Sequence, residues 1–251
     1  MDRKVALVTN ATGYAGPPAV AALQDAHYRV LAHDNAFGSE TARIGFLVDH
    51  PGAELIVAST PQGAFEAAWS VAGRIDAVIS NDHFPAIHKP TTEVSLDEMR
   101  ETLEALVVQP FALVRAAIPH LEAQGGGNIV MVTSCRTHLP MHGGAIPDAA
   151  RAAANALLRS FAIELAPRNI AVNAVAPNFL YSEAYYPKAV FIDSETGRDY
   201  VKSEVPAGRL GRPDEIGDLI RYLATTESRF LTGAIVDFSG GWPAAKTRPK
   251  S

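Results

Sequence analysis

The sequence predicts an α/β fold: a single domain over residues 1–251, built on a doubly wound parallel sheet of about seven strands with helices on both faces. Three observations predict it. Short β-branched or apolar runs alternate with helix-compatible stretches along the chain, the order that joins parallel strands by crossover helices. The runs themselves read as buried strands, covered on two sides. A chain of 251 residues with 47% hydrophobic content fills one sizeable core, and no repeat, low-complexity region or linker divides it.

Each element has its own signal. "KVALVTN" is the first strand, followed by the glycine-bearing turn "TNATGYAG" and the helix "PPAVAALQDA". "YRVLAHD" from Tyr28 and "AELIVAS" from Ala53 are the second and third strands, and "GAFEAAWSVAG" is the helix that leads to the fourth, "IDAVISN" from Ile75. Ser95 precedes an acidic first turn and opens the long helical stretch "SLDEMRETLEALVVQPFALVRAAIPHLEA". "GNIVMVTS" from Gly127 is the fifth strand, and the helix "PDAARAAANALLRSFAIELAP" begins at Pro147, a residue that suits a first turn. "NIAVNAVAPN" from Asn169 is the sixth strand. Pro213, Asp214 and Glu215 open the helix "PDEIGDLIRYLATTE", and "AIVDFSGG" from Ala234 closes the sheet in this Rossmann-like arrangement. Only the tail "PAAKTRPKS" is loose by composition.

Composition excludes some functions. A formal charge of −5 offers no basic surface to a phosphate backbone, so no nucleic acid is expected. Cys135 is the single cysteine, which excludes an intrachain disulfide. The opening "MDRKVALVTN" has no apolar leader, so a cytoplasmic protein is expected, and charges or helix breakers interrupt every apolar run, so no membrane span is expected. His83 and His88 lack the spacing of a metal motif, and no metal is expected.

The first turn is where a dinucleotide's pyrophosphate would approach backbone N–H groups. Gly13 and Gly16 fit that use. Asn10 in place of a first glycine, the ring of Tyr14, and Pro17 and Pro18, which remove two donors, work against it. Asp34, at the end of the second strand, is either a ribose ligand or a solvated strand-end carboxylate. No cofactor is expected.

From the first strand to Trp242 the chain resembles the short-chain dehydrogenase/reductase superfamily, through "GNIVMVTS", the helix near Pro147, "NAVAPNF" and "VPAGRLGRPDEIGDLIRYLA". Within it, the sequence resembles the halohydrin dehalogenases more closely, on Tyr14 in the cofactor turn, "SNDHF" after the fourth strand, "PNFLYSEAYYP" (Pro177 to Pro187) and Arg151. The resemblance implies a lyase that turns a vicinal halohydrin into an epoxide and a halide without moving a hydride, or opens an epoxide with a small anion such as azide, cyanide or nitrite. It implies that Ser134 holds the substrate oxygen and that Arg151 lowers the pKa of a catalytic tyrosine one helical turn earlier. That position is Pro147, which has no side-chain donor or acceptor. Activity impaired or altered at this point is therefore expected, with His138, His142, Asp148 or a bound water as candidate substitutes. The halide site implied is Tyr14, Pro177, Asn178, Phe179, Leu180 and Tyr186, with Asp82, Phe84 and Met141 as further substrate-pocket candidates.

Each residue has a plainer reading. Ser134 suits a turn after a strand, Arg151 a helix surface, and Phe179 and Leu180 the filling at a sheet end. Two other functions stay open: an NAD(P)-dependent reductase with an unusual site, and a non-catalytic homologue that binds a small ligand. The resemblance also implies a homotetramer packed through residues 95–123 and 147–166, with Trp242 near a neighbouring subunit.

Overall fold

The structure, a computed structural model, describes residues 3–245. Seven parallel strands form one sheet in the order β3-β2-β1-β4-β5-β6-β7. They are β1 Val5–Thr9, β2 Arg29–His33, β3 Glu54–Ile56, β4 Ala77–Ser80, β5 Gly127–Val132, β6 Ile170–Pro177 and β7 Ile235–Phe238. This is the predicted single-domain, doubly wound sheet. All seven fall within the predicted runs, because β1, β4, β5 and β6 are buried at every position and so read as unbroken apolar stretches.

The helices are α1 Gly16–Asp25, α2 Glu40–Asp49, α3 Pro61–Ala72, α4 Leu96–Leu103, α5 Gln109–Ala123, α6 Ala145–Leu165, α7 Lys188–Phe191, α8 Glu195–Glu204 and α9 Pro213–Thr225. One face of the sheet packs with α1 and α9, around Val20, Leu23, Ile216 and Ile220. The other packs with α3, α5 and α6, around Phe65, Leu113, Leu121 and Leu158. A smaller cluster of Phe179, Val201, Val205, Leu210 and Trp242 lies at the carboxyl end of β6.

The helices differ from the sequence reading in several places. Helices α2, α7 and α8 were not foreseen. Helix α6 begins at Ala145, two residues before the predicted start, and puts Pro147 third in the helix. An N–H there would have no intrahelical acceptor, so proline removes no helix bond. The long helical stretch is divided by a π-turn, Glu104–Val108, with Pro110 just beyond it. By length and composition, Leu96–Ala123 is apolar enough to cross a membrane, contrary to the sequence expectation, although Leu106, Leu113, Val114, Ala117 and Leu121 are buried within the fold. Most of the C-terminal tail lies outside the described residues.

The α1–α9 contact fixes the start of α1, and with it the first turn. A β-carbon on Gly217 of α9 would lie 2.7 Å from the Pro18 carbonyl oxygen, which is backbone and has little freedom to yield. Gly217→Ala is expected to push the two helices apart and lower stability by about 1–3 kcal/mol, read as a lower Tm with the helical content retained.

Candidate active site

The carboxyl ends of β1, β4, β5 and β6 meet at one edge, with Thr9 paired to Ser80 and Val132 to Val175. In open α/β sheets, ligands bind at this edge beside the point where strand order reverses, here between β1 and β4. A cavity of about 640 Å³ opens there. Its walls include Tyr14 from the first turn, Phe84 after β4, Ser134 after β5, Pro147 and Arg151 from α6, and Pro177, Asn178 and Tyr186 after β6. Met141 contributes from the loop before α6. Sequence positions far apart are thus brought to one wall.

Ser134 is set by three bonds. Its hydroxyl donates to the Pro177 carbonyl (3.1 Å) and accepts from the Arg136 N–H (3.2 Å), and the Asn155 side chain donates to its carbonyl (3.0 Å). Arg151 is buried, so the helix-surface reading fails. Its guanidinium donates to the carbonyls of Asp82 (2.9 Å) and Val132 (3.4 Å), tying α6 to the ends of β4 and β5. Asp82 lies behind this wall and does not line the cavity. One of its carboxylate oxygens accepts from Ser80 (2.7 Å) and the other is buried without a partner. Burial raises its pKa to about 7, against the opposing pull of the Ser80 hydroxyl and Arg151.

Two residues of the expected halide site point elsewhere. Phe179 has a left-handed backbone (φ 54°), and its ring packs with Tyr186 and Trp242, while Leu180 belongs to the main core. For these side chains the plainer reading, filling the sheet end, is the one observed. The Phe179 N–H (3.0 Å) and the Tyr186 hydroxyl (2.7 Å) both donate to one atom, Oδ1 of Asn178. Two donors converging on one acceptor form an arrangement that also suits an anion.

None of the side chains named as substitutes for a tyrosine lines the cavity. His138 pairs with Asp237 (3.0 Å), His142 is exposed, and Asp148 pairs with Arg136. Burial raises the pKa of Tyr14 and, likewise, of Tyr186, so both remain phenols that donate but do not take up a proton near neutral pH. Burial lowers the pKa of His83 and of His88. Among the described residues, no group of three His, Cys, Asp or Glu side chains is placed to hold a metal.

The sequence reading missed Tyr185 and Arg136. Tyr185 stands edge-on to the Tyr14 ring (4.9 Å between centroids), and its hydroxyl both donates to the Phe84 carbonyl (2.7 Å) and accepts from the Phe84 N–H (3.0 Å). The doublet "YY" was the only sequence signal for Tyr185. Arg136 had none, because Asp148, its partner, lies twelve residues away across a loop.

The first turn is closed on itself. Asn10 (φ 51°) and Tyr14 (φ 53°) both adopt left-handed backbone. The Asn81 side chain donates to the carbonyls of Asn10 (2.8 Å) and Gly13 (2.9 Å), and the His83 ring lies where a β-carbon on Gly13 would be 2.9 Å from Nε2. Asp34 is committed too. One oxygen accepts from the N–H and the hydroxyl of Thr12 (2.9 and 2.7 Å), and the other from the Ala36 N–H (2.9 Å). The Tyr14 and His83 rings and the bonds of Asn81 and Asp34 thus crowd the turn where a pyrophosphate would approach.

A parallel sheet in this strand order, with a serine after β5 and a cation on α6 over a shared cavity, defines a short-chain dehydrogenase/reductase type of protein. The family model described as Enoyl-(Acyl carrier protein) reductase matches residues 57–243. The "Uncharacterized oxidoreductase YmfI" of Bacillus subtilis (strain 168) is 30% identical over 247 residues, 95% of this chain and 98% of that protein. The chain belongs to the short-chain dehydrogenase/reductase superfamily. Among solved structures, one titled "Dehalogenation enzyme" matches with TM-score 0.91 and 33% identity over 96% of this chain and 98% of that one. Halohydrin dehalogenase HheC bound to ethyl (2S)-oxiran-2-ylacetate matches with TM-score 0.94 and 30% identity, over 98% of this chain and all of that one (100%).

Proposed function

We propose that the chain is a halohydrin dehalogenase-type protein that binds a vicinal halohydrin, or an epoxide with a small anion, in the cavity beneath Tyr14. The observation that carries this reading is the pairing of the Ser134–Arg151 wall with a first turn filled by Tyr14 and His83. The neighbours of TM-score above 0.9 support it.

In this reading the Ser134 hydroxyl turns from the Pro177 carbonyl to the substrate oxygen, and the buried Arg151 cation favours negative charge developing there. That oxygen displaces halide from the adjacent carbon: a C–O bond forms, the carbon–halogen bond breaks, and the leaving anion takes the donors that now meet at Asn178. The hydroxyl proton must go to water, because Pro147 cannot accept it. Turnover is therefore slow. A homotetramer is part of the same proposal, supported by the exposed Val108, Phe111 and Ile163 on α5, its preceding π-turn and α6.

A second reading, an NAD(P)-dependent reductase, is favoured by the oxidoreductase relative and by a groove of about 670 Å³ bordered by Asn10, Asn35 and Ser59. One experiment separates the two. Incubation with a simple bromohydrin is expected to release bromide and epoxide in equal amounts, slowly and without added nucleotide. Saturable NADH or NADPH binding with reduction of a carbonyl, and no bromide release, would establish the reductase instead.

A further inference from the structure

Arg136 is a cation that the proposed chemistry does not use. It follows Ser134 by two residues, lines the same cavity as Ser134 and Arg151, and is mostly shielded from solvent. Its Nε–H is bonded to Asp148, which anchors the side chain to the first turn of α6. Among the described residues no acceptor answers Nη1 or Nη2, and Nη2 is buried. Gly144 makes room for it, since a β-carbon there would lie 2.8 Å from Nη2. Arg151 donates through Nη1 to two backbone carbonyls. The cavity wall carries no aspartate or glutamate. Several of its hydroxyls have partners of their own: Ser134 bonds Pro177, Thr102 bonds the Glu98 carbonyl, Tyr185 bonds Phe84, and Tyr186 bonds Asn178.

A guanidinium whose Nη1 and Nη2 groups lack acceptors is costly to bury, and a carboxylate is the kind of anion that answers it with charge-assisted hydrogen bonds. We propose that the cavity selects ligands that carry a carboxylate, and that Arg136 is the residue that receives it. The ligand class is a short hydroxy acid, with the halogen or the epoxide at the end remote from the carboxylate. This rests on the halohydrin reading for the reacting end of the molecule and not for the carboxylate.

The test is calorimetric binding of 4-chloro-3-hydroxybutyrate, its neutral amide, and 3-hydroxybutyrate with its own amide. The protein is expected to bind each acid at least about tenfold more tightly than the matching amide, the scale of a charge-assisted pair. In Arg136→Gln the acid-to-amide ratio is expected to fall to near one, and Arg136→Lys is expected to recover part of it. If Arg136→Gln misfolds because Asp148 loses its partner, the double variant Arg136→Gln, Asp148→Asn gives the same ratio. A ratio near one in the unaltered protein, or a preference that survives Arg136→Gln, overturns the proposal. The chlorine reports separately: an Arg136-dependent preference with no gain from chlorine upholds carboxylate selection and counts against the halohydrin reading. A gain from chlorine with no acid preference does the reverse.

Discussion

Pro147→Tyr is expected to raise the rate of epoxide formation from a bromohydrin by about 10²- to 10⁴-fold, the contribution of one positioned acid or base. The phenol would project from α6 into the cavity that Pro147 now lines, one helical turn from Arg151, whose fixed charge lowers a neighbouring tyrosine's pKa. Ring opening by an anion should gain by a similar factor, since the same proton moves in the opposite direction. The fold should tolerate the change, because position 147 owes no hydrogen bond to the helix. Bromide release and Tm measured together for the two proteins check both statements. Equal rates would mean that another group already takes the proton and that the roles given to Ser134 and Arg151 are wrong.

Asp82→Asn is expected to make stability less dependent on pH. The carboxyl ionises near 3.8 when unperturbed and near 7 in the fold. Below about pH 4 both states hold the proton and burial costs no charge. As pH rises towards 7, unfolding releases a proton, so stability falls, and above 7 the whole penalty is present, roughly 4 kcal/mol on a linkage scale. Asparagine does not titrate. The difference in Tm between variant and parent should therefore move in the variant's favour from pH 4 to pH 8, whatever its offset at pH 4. A difference constant over that range would show that Asp82 does not titrate between folded and unfolded chains.

Strands and site residues were legible to different degrees, for physical reasons. Strands β1, β4, β5 and β6 are buried at every position, and such runs announce themselves. Helix α2 did not, because its Ile44, Leu47 and Val48 are exposed and Phe46 is the only residue it buries. Helix α8 buries little beyond Gly197 and Val201 in a polar stretch. Ser134 and Arg151 were placed by the family resemblance, and both line the cavity. The turn "PNFL" was read as a row of ligands, yet the left-handed backbone at Phe179 sends its side chain into the smaller core. Arg136 and Tyr185 reach the cavity only through loops that fold over it, and spacing carries no record of that approach.

Asp34 holds the first turn to the end of β2 through two hydrogen bonds accepted from Thr12. A corner completed by a bound molecule melts at a temperature that climbs with that molecule's concentration, by mass action. Here the occupant is covalently part of the chain, present at full effective concentration from the moment of synthesis. Under the proposed function this corner owes its order to the chain's own side chains and not to a bound nucleotide.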